Sequence, residues 1–378
     1  MHPLTKLRVD HIGSLLRPST LIEAFQQRAD DRISHATLAA AQDLAIRDVI
    51  ARQEACGMPI FSDGEYRRLN WQVSFSEVEG WDQWAVAWPL FRANPAMTAP
   101  EERPLTRGLD AVVGYRTPAS AKLRLKENFP LKEYRFAATV ASRPAKAMIM
   151  GPDRVAQMCD IERSAPHYHS TDEFLADVVA IQHAMIAALI EAGCPYVQID
   201  EPSYTGYVDP ATLERMRSRG EKPEASLARA IAADNAVIAG LHGKATFALH
   251  VCRGNRASMW HREGAYDAIA EQLFNELAYD RLLLEYDTER AGGFEPLRFV
   301  PKGKIAVLGL ITTKAGTLET VDALRRRIDD AARFIALDQL ALSPQCGFAS
   351  GIGGNVLTEA EQWAKFDVML ETARRVWG

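Results

Sequence analysis

The chain has 378 residues, 47% of them hydrophobic and 25% charged, with 24 glycines and 19 prolines. This is the make-up of a globular protein with a sizeable core, and it excludes disordered, collagen-like and low-complexity classes. The 44 Lys and Arg against 49 Asp and Glu leave a formal charge of −5. That mild acidity gives no electrostatic footprint for nucleic acid or an anionic membrane, so a small-molecule partner is expected. The five cysteines, Cys56, Cys159, Cys194, Cys252 and Cys346, are odd in number and scattered. They suit a reducing compartment better than a disulfide framework. Residues 1–10 carry no apolar leader, and unbroken apolar stretches such as residues 184–190 are far too short for a membrane span, so a soluble cytoplasmic protein is expected.

In chain order, eight short apolar runs predict strands: residues 9–14, 59–64, 146–151, 196–200, 245–251, 282–286, 305–310 and 339–343. Segments of helical period lie between most of them, at 37–56, 171–192, 225–241, 264–278, 318–335 and 358–376. Only the second and sixth runs lack a clear following helix. The expected fold is therefore α/β, a single (β/α)8 TIM barrel. No Ser/Gly or Pro-rich linker divides the chain, so one catalytic domain over 1–378 is expected. The pattern breaks between about 66 and 133, where prolines cluster and Trp81, Trp84 and Trp88 fall at helical spacing. This reads as an insertion after strand two that caps the active face. The tryptophans read as packing it onto the barrel, with substrate stacking as the alternative.

Active sites of such barrels lie at the C-terminal strand ends. His250 and Cys252 close the fifth run at i, i+2 spacing, which points both side chains to one face. Glu285 closes the sixth run, and Cys346 follows the eighth. Any one of these alone reads as a buried thiol, a hydrogen-bonded histidine or an ordinary acid. Four at one rim read as a metal site. Two thiolates, an imidazole and a carboxylate suit tetrahedral Zn²⁺ and not magnesium or calcium. Their formal charge makes zinc electron-rich, which suits holding a substrate thiolate and points to alkyl transfer to sulfur.

Acidic residues end three other runs, in Asp10-His11-Ile12-Gly13-Ser14, Asp63-Gly64-Glu65 and Asp200-Glu201-Pro202. An acidic cup favours an ammonium group, and Gly13 lets backbone amides near Ile12 and Ser14 approach a carboxylate, so an amino-acid thiol fits both ends. For each acid singly, a salt bridge to Arg67 or Arg68 is the plainer reading. Gly347, Gly351, Gly353 and Gly354 after the eighth run leave a phosphate site as a lesser alternative. His167 and His169, after the third run, read as exposed loop histidines, with contact to a donor substrate as the alternative. Cys56, Cys159 and Cys194 read as core or loop thiols.

These segments, together with Asp63-Gly64-Glu65-Tyr66-Arg67-Arg68, His250-Val251-Cys252-Arg253-Gly254-Asn255, Glu285-Tyr286-Asp287 and Ser343-Pro344-Gln345-Cys346-Gly347-Phe348, resemble the cobalamin-independent methionine synthase family. The likeness is to its C-terminal catalytic barrel and its short stand-alone form, over nearly the whole chain. The resemblance implies His250, Cys252, Glu285 and Cys346 as zinc ligands. It implies Ile12, Ser14, Glu65 and Asp200 as the residues holding the amino-acid part of homocysteine, with Glu65 and Asp200 nearest the chemistry. The family's full-length form carries an additional N-terminal barrel, for which no sequence is seen here. Where the family has a histidine after strand seven, this chain reads Thr312-Thr313-Lys314. The methyl donor is therefore open between a methyl-folate monoglutamate, a methylated corrinoid or its carrier protein, and a small methyl-sulfur compound. Epoxyalkane:coenzyme M transferases resemble the same barrel, but a sulfonate wants Arg or Lys facing the metal, whereas Glu65 and Asp200 favour an ammonium. A water-activating hydrolase and a purely structural zinc fit the ligand set less well.

Overall fold

The computed structural model describes residues 3–93 and 116–378. The N-terminal part carries α1 (Ser19–Ala29), α2 (His35–Cys56), β1 (Val78–Glu79), α3 (Trp84–Ala93), β2 (Arg124–Leu125) and α4 (Phe129–Val140). Strands and helices then alternate. β3 (Ala147–Met150) leads through α5 (Pro152–Met158) and α6 (Thr171–Glu191) to β4 (Tyr196–Asp200), and α7 (Pro210–Ser218) and α8 (Pro223–Val237) precede β5 (Thr246–Val251). After α9 (Asp267–Glu276) come β6 (Arg281–Glu285), β7 (Ile305–Ile311), α10 (Val321–Ala331), β8 (Leu340–Pro344) and α11 (Glu359–Trp377).

β3 to β8 form one parallel sheet in sequential order, and every residue in these six strands is buried. Burial on both faces is why they read as continuous apolar runs rather than as alternation. Helix ends are written locally. Ser34 caps α2 by accepting from the Thr37 N–H, and Gly57 ends it at φ 87°, a left-handed conformation that suits glycine. Thr358 and Glu361 form a reciprocal capping box on α11.

The expectation of eight strands needs correction. Among the described residues the first two runs make single bridges, Val9 to Leu342 of β8 and Phe61 to Ala145 beside β3, and the parallel sheet has six strands. The cause is local. Gly13 (φ 130°), Gly64 (φ 70°) and Glu65 (φ 60°) leave extended geometry. A side chain also takes over the ladder. Gln53 of α2 accepts from the Ser62 N–H at 3.0 Å and donates to the Ser62 carbonyl at 2.8 Å, while the Ser62 hydroxyl donates to the Gly13 carbonyl at 2.6 Å.

Of the expected insertion, residues 94–115 lie outside the described residues. The rest holds β1 and β2 as an antiparallel pair and ends inside α4. Its tryptophans pack: Trp84 stacks on Trp88 at 6.0 Å and meets Phe129 edge-on, and Trp81 lies against Phe75 and Phe174. By length and composition α6 is apolar enough to cross a membrane, with a mean hydropathy of 1.6 in its most apolar window. It buries Phe174, Val178, Met185, Ile186 and Leu189 within the fold.

Candidate active site

Register brings the first group together. Asp200, last in β4, pairs with His250 of β5, and Cys252 follows one residue past the end of β5. His250, Cys252 and Cys346 are buried, and their ligand atoms lie within 4.8 Å of one another. The His250 Nδ1 sits 3.2 Å from the Leu283 carbonyl. A carbonyl only accepts, so Nδ1 carries a proton and Nε2 is the nitrogen left to a ligand. That Nε2 is buried without a hydrogen-bond partner. An orphaned imidazole nitrogen facing two thiols is the donor set zinc takes, with the backbone carbonyl orienting the ring. The Cys252–Cys346 hydrogen bond, and then the neighbouring His250 ring, hold the Cys346 thiol well below the ordinary range against burial. The same bond, burial and Glu285 push Cys252 well above it.

Glu285 lies outside this three-residue group. Fully buried at the end of β6, it accepts from the Arg253 backbone N–H at 2.6 Å and faces Arg290 at 3.4 Å.

The second group is acidic. Glu65 is held in its left-handed conformation from three sides: its N–H donates to Asp63 at 2.9 Å, its carbonyl accepts from Arg17 at 2.8 Å, and its Oε1 meets Arg68 at 3.2 Å. Arg68 in turn grips Glu133 through two nitrogens. The plain reading of an Arg68 salt bridge is therefore right for one oxygen of Glu65. Its other oxygen, Oε2, is buried without a partner. Burial pushes Glu65 up to about 8, with Arg68 opposing and Asp200 adding, and burial pushes Asp200 up to about 6. Arg67 turns away to Asp43.

Glycines set the approach of the chain. A Cβ on Gly347 would stand 1.9 Å from the Ser14 hydroxyl, so only glycine lets the loop after β8 close on the first run. Every sequence-derived site residue except Glu285 lines one cavity of about 440 Å³.

The family described as the cobalamin-independent synthase catalytic domain matches residues 10–373. The chain belongs to this family. The uncharacterized protein YxjH of Bacillus subtilis is 35% identical over 98% of this chain and 94% of its own length. The methionine synthase of Pyrococcus abyssi is 24% identical over 89% of this chain and 84% of its own. A putative vitamin-B12 independent methionine synthase from Listeria monocytogenes shares the fold, with a TM-score of 0.75 at 23% identity over 98% of both chains. So does a B12-independent methionine synthase from Shewanella sp. W3-18-1 in complex with selenomethionine, at 0.70 and 19% identity over 98% of this chain and 97% of that one. Membership of the methionine synthase family makes this chain a methyltransferase.

Arginines stand on the cavity's remaining wall. Arg116, Arg154 and Arg262 line it, from the segment before β2, from α5 and from the loop after β5. No motif or spacing links the three in sequence, so pattern reading had no signal to find them. His167 and His169 do not line the cavity. The loop after β7 packs beside it, with Thr313 donating to Gln345 and to the Gly347 carbonyl.

Proposed function

We propose that this family member moves a methyl group to the thiol of homocysteine to give methionine, with zinc held by His250, Cys252, Cys346 and Glu285. The observation that carries the reading is a pair of buried, partnerless atoms on one cavity: the Nε2 of His250 at one end and the Oε2 of Glu65 at the other. The first suits a metal, and the second suits an ammonium. Zinc, when bound, supplies the Lewis acidity that keeps a substrate thiol deprotonated at neutral pH. The chain's own residues do the positioning. Glu65 and Asp200 accept the substrate ammonium. Gln198 donates to Asp200 at 2.6 Å and to the Ile12 carbonyl at 2.7 Å, so one amide ties the two substrate-binding segments together. Ile12 and Ser14 face the amino-acid end. Glu285, at the end of β6, would supply the carboxylate of the ligand set.

We further propose that residues 9–14 and 59–64 close the sheet into a (β/α)8 barrel forming one catalytic domain. Their bridges to the two edge strands support this, as does the Leu15 N–H donating to the Gly64 carbonyl between them. All five cysteines are free, which supports a reducing, cytoplasmic setting. The methyl donor is a methylated folate, a small methyl compound, or a corrinoid with or without its carrier protein. A second reading, alkyl transfer to a sulfonate thiol such as coenzyme M, has one observation in its favour: Arg262 bears electrostatically on Cys252.

Metal analysis and X-ray absorption test the site. About one zinc per chain with sulfur in its shell is expected. Cys252→Ser and Cys346→Ser should lose both zinc and turnover while keeping wild-type circular dichroism. A variant without zinc that turns over at the wild-type rate would end the catalytic assignment. Calorimetry in which coenzyme M binds more tightly than homocysteine would replace the main reading with the second.

A further inference from the structure

We infer that Arg116, Arg154 and Arg262 form an anion-binding site on the outer wall of the cavity, and that it holds an anionic group of the methyl donor. The inference deepens the proposed transfer reaction and rests on it only for which substrate carries the charge.

Among the described residues, none of the three guanidiniums makes an ion pair with a carboxylate. Arg262 is 6% exposed. It donates one N–H to the Pro202 carbonyl, and its Nε–H is buried with no acceptor. Gly206 makes room for it, since a Cβ there would lie 3.3 Å from the guanidinium carbon. Burial first, and then the charge of Arg262, bring Arg154 down to about 10. Burial and then Arg219 lower Arg116. Arg262 is buried, Arg154 part-buried and Arg116 exposed, and neighbouring cations of which one is held out of water are unfavourable without a counter-ion.

The nearby carboxylates are committed elsewhere: of those facing Arg116, Glu221 pairs with Arg219 at 3.9 Å and Asp160 with Arg163 at 3.8 Å. Glu201 accepts from the backbone N–H groups of Ser203 at 3.1 Å and Arg154 at 3.0 Å. Asp153 accepts from Gln157 at 2.8 Å and Tyr207 at 3.2 Å. Burial raises both acids, Glu201 to about 7, so Glu201 is not a full counter-charge at neutral pH. Asp209, also near Arg262, accepts from Thr212 and from the Glu263 N–H.

The site is distinct from the ammonium end. The charges that act most on Glu65 are those of Arg68, Asp200, Glu133 and Arg17, and on Asp200 those of His250, Arg68 and Lys146, and none of the three arginines is among them. An amino-acid thiol anchored at Glu65 and Asp200 leaves the arginines for the second substrate. Three guanidiniums suit a carboxylate, phosphate or sulfonate.

Calorimetry on the zinc-loaded protein with inorganic phosphate and with sulfate tests the site without turnover. Both anions should bind wild type. Arg154→Gln and Arg262→Gln should each weaken them at least tenfold with zinc content and melting temperature retained, and Arg154→Lys should recover part of the loss. Should Arg262→Gln fail to fold, the part-buried Arg154 carries the test alone. Arg333→Gln, an exposed arginine paired to Asp330, should change nothing. Equal loss in that control, or no anion binding by wild type, overturns the site. Homocysteine should bind equally well with phosphate saturating. Displacement of homocysteine by phosphate would assign the arginines to the thiol substrate and overturn the donor assignment.

Discussion

Glu65 concentrates the chemistry of the inner pocket in one residue. A non-glycine residue at φ 60° costs about 1–3 kcal/mol and persists only where its surroundings over-determine it. Here Asp63, Arg17 and Arg68 do so, and the result is one carboxylate oxygen fixed on Arg68 and one left for a ligand. With its pKa raised to about 8 by burial, free Glu65 is mostly protonated at pH 7, whereas an ammonium ligand needs the carboxylate. Methionine, a thioether with no thiol proton to lose, should therefore release a proton on binding below pH 8, and its affinity should rise as pH rises toward 8. Calorimetry in buffers of different ionisation enthalpy counts that proton. Glu65→Gln should abolish the release, flatten the pH dependence and weaken homocysteine by about tenfold or more, the cost of a charge-assisted hydrogen bond. Methionine binding by wild type at pH 7 without proton release would show Glu65 already ionised and remove this account.

The link between α2 and the second run shows how an element without a ladder is held. Gln53 is fully buried, and its amide serves Ser62 as a neighbouring strand would. Gln53→Leu leaves the Ser62 N–H and carbonyl without partners, at about 1–3 kcal/mol each. Denaturant unfolding should show a loss in that range or up to twice it. Because the Ser62 hydroxyl holds the Gly13 carbonyl, KM for homocysteine should rise as well. Wild-type stability in Gln53→Leu would mean that residues 59–64 are anchored by other contacts. The same element explains what was legible in sequence. The six runs of the sheet are buried on both faces and announce themselves by apolar continuity. The first two runs end in left-handed residues and borrow a glutamine from another segment, which no periodicity encodes. At the site, His250 and Cys252 were legible because i, i+2 spacing at a strand end fixes a common face, and Cys346 because it follows β8 directly. The hold on Glu285 by the Arg253 backbone N–H and the Arg290 side chain depends on partners that lie far apart in sequence or in loops.

Across the whole molecule, one buried polar cluster ties the N-terminal run to the sheet and reaches the site. Asp10 accepts from Lys146 at 3.0 Å, from the Tyr196 hydroxyl at 2.5 Å and from Arg281 at 3.2 Å, and all four side chains are buried. Arg281 also donates to the carbonyls of Thr5 and Leu7. Lys146 donates to Gln198 at 2.7 Å, and Gln198 to Asp200, so the cluster continues into the substrate acids. Burial alone would raise the Asp10 carboxyl. Lys146 and Arg281, aided by Tyr196, outweigh burial and hold it well below the usual carboxylate range. A lowered pKa stabilises the fold above the unfolded value of about 4, and that contribution is lost as pH falls from there toward the folded value. Asp10→Asn leaves two buried cations uncompensated and should cost about 3–5 kcal/mol at pH 7. Melting temperatures of the two proteins across pH 3 to 7 supply the check. The gap should be constant above about pH 5 and narrow below pH 4, where protonation begins to make wild-type Asp10 resemble the amide. A gap that widens on acidification would mean that Asp10 is neutral in the folded protein and that Lys146 and Arg281 are balanced by other groups.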